Sequence, residues 1–317
     1  MGIVPTWLKG TWMLSIILAV LSVTIMFMMF FTNRVIKPLF FKNCCEGFKN
    51  KPIIWMYWET LPGRTKPGYI DLCIDSVKFN CGNCFNVIVC NNKNIYKYLP
   101  EVGEMNFKGL KLPQKVDYYR YCLLKKYGGV WIDADTVVLK CMCPIYNKLK
   151  DYDYIGFGCG YSTKQCGKIK SGHNKPLNWM MMSRPNTKYM SCIKNTAKSR
   201  IQNKGVNQYH AIGKKVLSEC IAEVKKEDPN WDYYHMPSKC QEYDSQGNKL
   251  SNIFDNFNIK DCGKSRYFFP LYNTAPRGFV GGYPKWFKRL TKSQLLKSDL
   301  PVTPVFMEAF RPKKKCY

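Results

Sequence analysis

The segment KVDYYRYCLLKKYGGVWIDADTVVL, residues 115–139, constrains the fold more than any other stretch. It reads as a helix, a Gly-Gly stop, and a buried strand interrupted by two aspartates. Asp117, Arg120, Leu124 and Tyr127 fall on one helical face by their i, i+3 and i+4 spacing. Gly128 and Gly129 let the chain reverse out of the helix into the strand. Along an extended chain, Asp133 and Asp135 point to one side, with Ala134 to the other. Two carboxylates on one side repel, and a divalent cation relieves the repulsion. Mg²⁺ or Mn²⁺ binds such oxygens while keeping positions for phosphate and water.

The flanking sequence places this unit in an α/β domain. Ile53 to Trp58 is a β-branched and aromatic run closed by a Pro-Gly turn, which reads as a strand. Gly68 to Phe79 has helical spacing, residues 84–90 (CFNVIVC) form a second strand, and Asn94 to Leu99 a short helix. Strands alternating with helices predict a largely parallel sheet, with ligand beyond the carboxyl ends of the strands. Beyond Asp151 the pattern weakens. Helices are expected from Lys188 to Asn203 and from Asn207 to Lys226, whereas 228–287 lacks a clear period.

No charge interrupts the chain from Thr11 to Asn33, and about 20 apolar residues suffice to cross a bilayer. The expected organisation is an N-terminal tail (1–10), a single-pass transmembrane anchor (11–32), a basic stem (33–50), a catalytic domain (51–300) and a basic tail (301–317). Localisation is then membrane-bound. Arg34, Lys37 and Lys42 after the span lean toward a cytoplasmic domain, but a luminal, Golgi-like placement stays open. The net charge of +27 fits nucleic acid, anionic lipid or phosphate-bearing ligands. The basic residues are scattered without a nucleic-acid-binding motif, so no nucleic-acid partner is expected.

The 115–139 block resembles S/A-D-x-x-R-x-x-x-L-x-x-x-G-G-x-x-x-D-x-D of the capsular polysaccharide synthesis and DxD sugar-binding-region glycosyltransferases. KPIIWMYWETLPG followed by PGYIDLCIDS resembles the N-terminal signature of the capsular group. The resemblance implies a GT-A, Rossmann-like single domain that moves a sugar from a nucleotide-sugar donor to a glycan or other hydroxyl acceptor, with a divalent metal. It implies metal, diphosphate and donor contacts for Asp133 and Asp135, and donor contacts for Asp117 and Arg120. Trp55 takes the place of an aromatic that stacks on the nucleobase, although a tryptophan buried in a strand is an equal reading. Asn178, in NKPLNWMMMSRPN, resembles a donor- or acceptor-contacting asparagine. The residue before Asp117 is Val116 rather than Ser or Ala, a departure that bears on packing near the donor. Retention of anomeric configuration is implied by the same relatives.

Two other readings compete. IDADTV also fits D-x-D-x-[TV] of haloacid-dehalogenase-like phosphotransferases, with Asp133 as nucleophile. That reading needs a lysine and a later acidic pair, nominally Lys225 or Lys226 with Asp228 and Asp232, yet these follow a charged helix. A non-catalytic basic membrane protein is the other. Among the 16 cysteines, Cys81-Gly-Asn-Cys84 is a C-x-x-C and Cys141/Cys143 a close pair. A structural zinc site is not expected, because no second C-x-x-C supplies finger-like spacing.

Overall fold

A computed structural model describes residues 20–24, 48–157, 177–203, 211–236, 241, 253–254, 265–272 and 282–313. The chain divides into two compact units, residues 1–43 with 312–316, and residues 44–311 with Tyr317. The second unit carries the sheet.

Six strands form the main sheet: β1 (Ile53–Tyr57), β2 (Asn86–Cys90), β3 (Gly129–Ile132), β5 (Tyr154–Phe157), β6 (Leu177–Ser183) and β7 (Tyr234–Met236). Their order is β2-β1-β3-β6-β5-β7. β1 pairs parallel with β2 and β3, and β5 with β7, whereas β6 runs antiparallel to both β3 and β5. The sheet is therefore parallel except for β6. A second, two-stranded sheet pairs β4 (Thr136–Val138) with β8 (Phe268–Pro270).

Both faces of the sheet are covered, which explains why its strands read as continuous apolar runs rather than alternating ones. Ile54, Met56, Val130, Ile132, Met180 and Met182 enter one core, while Trp55, Tyr57, Trp131 and Met181 enter the other. The run of three methionines in β6 is thus split between two cores. The first core lies under α1 (Gly68–Cys81), α4 (Cys143–Tyr146), α7 (Lys285–Arg289), α8 (Lys292–Lys297) and α9 (Thr303–Ala309). The second lies under α3 (Leu112–Tyr127), α5 (Lys188–Gln202) and α6 (Lys214–Glu227), with the short α2 (Ile95–Tyr98) at its rim.

The reversal from α3 into β3 depends on its glycines. Gly128 has φ 65° and Gly129 φ 94°. A Cβ on Gly129 would lie 2.3 Å from the Ile53 carbonyl oxygen, so only glycine lets β3 dock against β1. The Gln114 side chain accepts from the Lys111 amide at 2.9 Å and secures the other end of α3.

The membrane anchor expected at 11–32 is corrected. Among the described residues no helix is long and apolar enough to cross a membrane. Of that stretch only 20–24 are described, one exposed helical turn, and the remainder lies outside the described residues.

Candidate functional site

β3 stops at Ile132, and β4 does not begin until Thr136. Asp133, Ala134 and Asp135 occupy the turn between them, closed by the Thr136 amide donating to the Asp133 carbonyl at 3.1 Å. This corrects the reading of one strand running through both aspartates. Even so, Asp133 and Asp135 are half-buried while Ala134 packs into the core. The turn does not give the one-sided display that strand alternation was expected to give: the two carboxylates meet different sides of the sheet.

Asp133 is braced by the second-core side of the sheet. Its Oδ1 accepts from the Arg120 guanidinium at 3.0 Å and from the Trp131 indole N–H at 2.8 Å. Arg120 also pairs with Asp117 Oδ1 at 3.2 Å and donates to the Asn178 carbonyl. The Asn178 amide closes the ring by donating to Asp117 at 2.9 Å. The Arg120 guanidinium lies over the Trp131 ring, 4.9 Å from its centre, where the ring quadrupole attracts it. The guanidinium is 5% exposed, Asp117 13% and Asp133 30%, so water screens this cluster weakly.

One arginine between two carboxylates cannot fully satisfy both. Burial pushes the Asp117 carboxyl up to about 6, with Arg120 pulling it down and Asp133 pushing it further up. Burial also raises Asp133, opposed by Arg120 and the Trp131 N–H. Both donors to Asp133 land on Oδ1, and among the described residues none reaches Oδ2.

Asp135 faces the first core instead. Its carboxylate lies within electrostatic reach of Tyr69 and Cys73 on α1, and of Tyr283 just before α7. Burial and that negative charge together raise the ionisation of both phenols well beyond the ordinary tyrosine range. The Asp135 carbonyl accepts from the Leu271 amide at 2.9 Å, and the Leu271 carbonyl accepts from the Tyr283 hydroxyl.

Asp117, Arg120, Asp133 and Asn178 are therefore joined by direct bonds, and Asp135 stands two residues away. Trp55 does not join them. It is fully buried in β1, its indole N–H donates to the Gly128 carbonyl at 3.0 Å, and Tyr98 and Tyr127 pack against it. Its ring has no face for a nucleobase, so the expected stacking role is corrected. At the carboxyl end of β1, Tyr57 donates to Glu59 at 2.8 Å and packs on Tyr119, and Trp58 is half-buried. The later acidic pair of the phosphotransferase reading stands apart: Asp232 pairs with Lys225 at 3.8 Å and with His235 at 3.4 Å.

The sequence profile described as capsular polysaccharide synthesis protein matches residues 32–271, most of the chain. The chain belongs to the capsular polysaccharide synthesis protein family. Its enzyme class is glycosyltransferase. A mimivirus protein from Acanthamoeba polyphaga mimivirus, named an uncharacterized glycosyltransferase, is 29% identical over 192 residues, covering 59% of this chain and 69% of the relative. Among solved structures, the glycosyltransferase GlyE of Streptococcus pneumoniae is similar with a TM-score of 0.40 at 12% identity, covering 84% of this chain and 61% of GlyE. The galactosyltransferase LgtC, in complex with donor and acceptor sugar analogs, is similar with a TM-score of 0.30 at 12% identity, covering 53% of this chain and 70% of LgtC.

Proposed function

We propose that this family member has a GT-A-type catalytic domain. It transfers a sugar from a nucleotide-sugar to a hydroxyl of a glycan or other acceptor, with retention at the anomeric carbon and a divalent cation, Mn²⁺ or Mg²⁺. One observation carries the reading: two half-buried carboxylates stand at the carboxyl end of β3, one held in place by a buried arginine that is itself held by Asp117 and Asn178. The oxygen set of Asp133 and Asp135 suits a hard cation, and Asp133 Oδ2 accepts no bond from the described residues. When bound, the cation neutralises the donor diphosphate and stabilises its departure.

The chain's own residues do the rest. Arg120 fixes the orientation of Asp133 and supplies positive potential at the mouth of the site. Asp117 and Asn178 hold donor hydroxyls, as well as holding Arg120. In a same-face substitution the bond from the anomeric carbon to the diphosphate oxygen breaks as the acceptor oxygen bonds that carbon. The acceptor proton passes to the departing diphosphate.

The test is a panel of nucleotide-sugars incubated with the full chain, with and without Mn²⁺ or Mg²⁺, scored for hydrolysis and transfer. Cation-dependent hydrolysis of one donor, lost in Asp133→Asn and Asp135→Asn, is expected. No hydrolysis and no nucleotide binding by calorimetry overturns the reading, as does cleavage of p-nitrophenyl phosphate through an aspartyl-phosphate. An inverted anomeric signal in product NMR overturns retention alone.

A further inference from the structure

Four cysteines from two distant segments converge on the first-core side of the sheet, and the transferase reading uses none of them. Cys81 is the last residue of α1 and Cys84 lies in the turn after it. Cys141 and Cys143 follow β4, and Cys143 opens α4. The packing of α1 on β4 brings them together. Ser76 Oγ accepts from the Val138 amide at 2.9 Å, and Asn80 donates to the Val138 carbonyl at 2.9 Å and the Ala309 carbonyl at 2.8 Å.

The Sγ atoms of Cys84, Cys141 and Cys143 lie within 4.8 Å of one another. Cys81 stands beside them, its thiol donating to the Lys140 carbonyl, the residue before Cys141, at 3.9 Å. Cys81 and Cys143 are fully buried and Cys84 is 5% exposed. A tetrahedron with Zn–S arms of about 2.3 Å has S···S edges of about 3.8 Å, so the sulfurs of Cys84, Cys141 and Cys143 need to close on one another by only about 1 Å.

We propose that Cys81, Cys84, Cys141 and Cys143 form a structural Zn²⁺ site in the reduced chain. In the present structure Cys84 is disulfide-bonded, so the fourth ligand is released by reduction. A dithiol reductant converts that disulfide to two thiols and itself closes to a cyclic disulfide. Zn²⁺ then displaces the remaining thiol protons to solvent. The spacing is C-x-x-C with C-x-C, which is why a search for two C-x-x-C knuckles does not find it. The site ties the end of α1 to the segment that follows Asp135, and soft thiolates favour zinc over the oxygen-preferring cations of the transferase site.

The test uses the full chain, reduced with dithiothreitol, desalted under argon and loaded with ZnCl₂ or CoCl₂. One zinc per chain after gel filtration is expected, together with sulfur-to-cobalt charge-transfer and intense visible bands of a tetrahedral thiolate site. Cys141→Ser and Cys143→Ser are expected to lose both signals. Cys192→Ser/Cys220→Ser, which removes a disulfide between α5 and α6 away from this group, is expected to keep them. Loss of folding in the variants leaves a second measurement on the unaltered chain: zinc should protect these four cysteines from iodoacetamide, read by peptide mass spectrometry. Substoichiometric zinc, unchanged zinc in Cys141→Ser, or alkylation unaffected by zinc overturns the proposal. None of these readouts depends on sugar transfer.

Discussion

Asp133 and Asp135 are two residues apart, yet the protein holds them by opposite means. Asp133 is fixed by charge: a buried guanidinium and an indole N–H converge on one of its oxygens. Asp135 is fixed by its backbone and by buried phenols from the other face of the sheet. The first carboxylate is thus oriented before any ligand arrives. The second lies against aromatic walls, the Tyr69 and Tyr283 rings, on the opposite side of the sheet from Arg120.

The largest effect separating them is expected in Asp135→Asn. Transfer should fall roughly 10³-fold, the equivalent of about 4 kcal/mol of transition-state stabilisation, with little change in melting temperature. Arg120→Ala should act on the other carboxylate and through stability. It strands two partly buried charges, and loss of one partner of such a group costs about 3–5 kcal/mol, read by urea unfolding. Equal stability loss in Asp135→Asn and Arg120→Ala would break the comparison.

Asp117 sharpens it through pH. Its folded carboxyl is pushed up to about 6 by burial, above the ordinary 3.8 of an aspartate. Between those values the folded state binds the extra proton, so this group's contribution falls as pH rises through the window and is level above it. Two pKa units correspond to about 3 kcal/mol, to be discounted for Arg120 and Asp133 titrating with it. Asp117→Asn should flatten stability between about pH 4 and 6, whereas the native chain loses activity below pH 6 as the partner of Arg120 is neutralised.

Trp55→Phe is expected to cost about 1–3 kcal/mol through lost volume and the bond to Gly128, with donor KM unchanged. A raised donor KM without lost stability would restore the stacking role. Tyr283→Phe should be smallest, about 1 kcal/mol for the bond to the Leu271 carbonyl, because the ring that lies near Asp135 is kept.

Much of this architecture was legible. The pattern at Ile53 and Gly68 marks a strand start and a helix start because both faces of the sheet are buried and the local periods are clean. Asp117, Arg120 and Asp133 were found because helix spacing and the glycine reversal are local facts. Asn178 was found only by resemblance: its bonds to Arg120 and Asp117 cross 58 and 61 residues, and no local period encodes such distances. Trp55 misled because an aromatic in a strand looks alike whether it faces a ligand or a core. The helices between Lys285 and Ala309 went unread because they are short, four turns in none of them, and their packing on α1 is non-local.

The single reversed strand, β6, has a consequence in time. Synthesis proceeds at about 5–20 residues per second, so the 58 residues from Arg120 to Asn178 take about 3–12 s to follow. During that interval the nascent chain carries an arginine and its two carboxylates without the carbonyl and amide that arrange them. The Leu271 contact that steadies Asp135 arrives later still. The charged cluster around Asp133 is thus finished late, and a growing chain carries its charges long before their partners arrive.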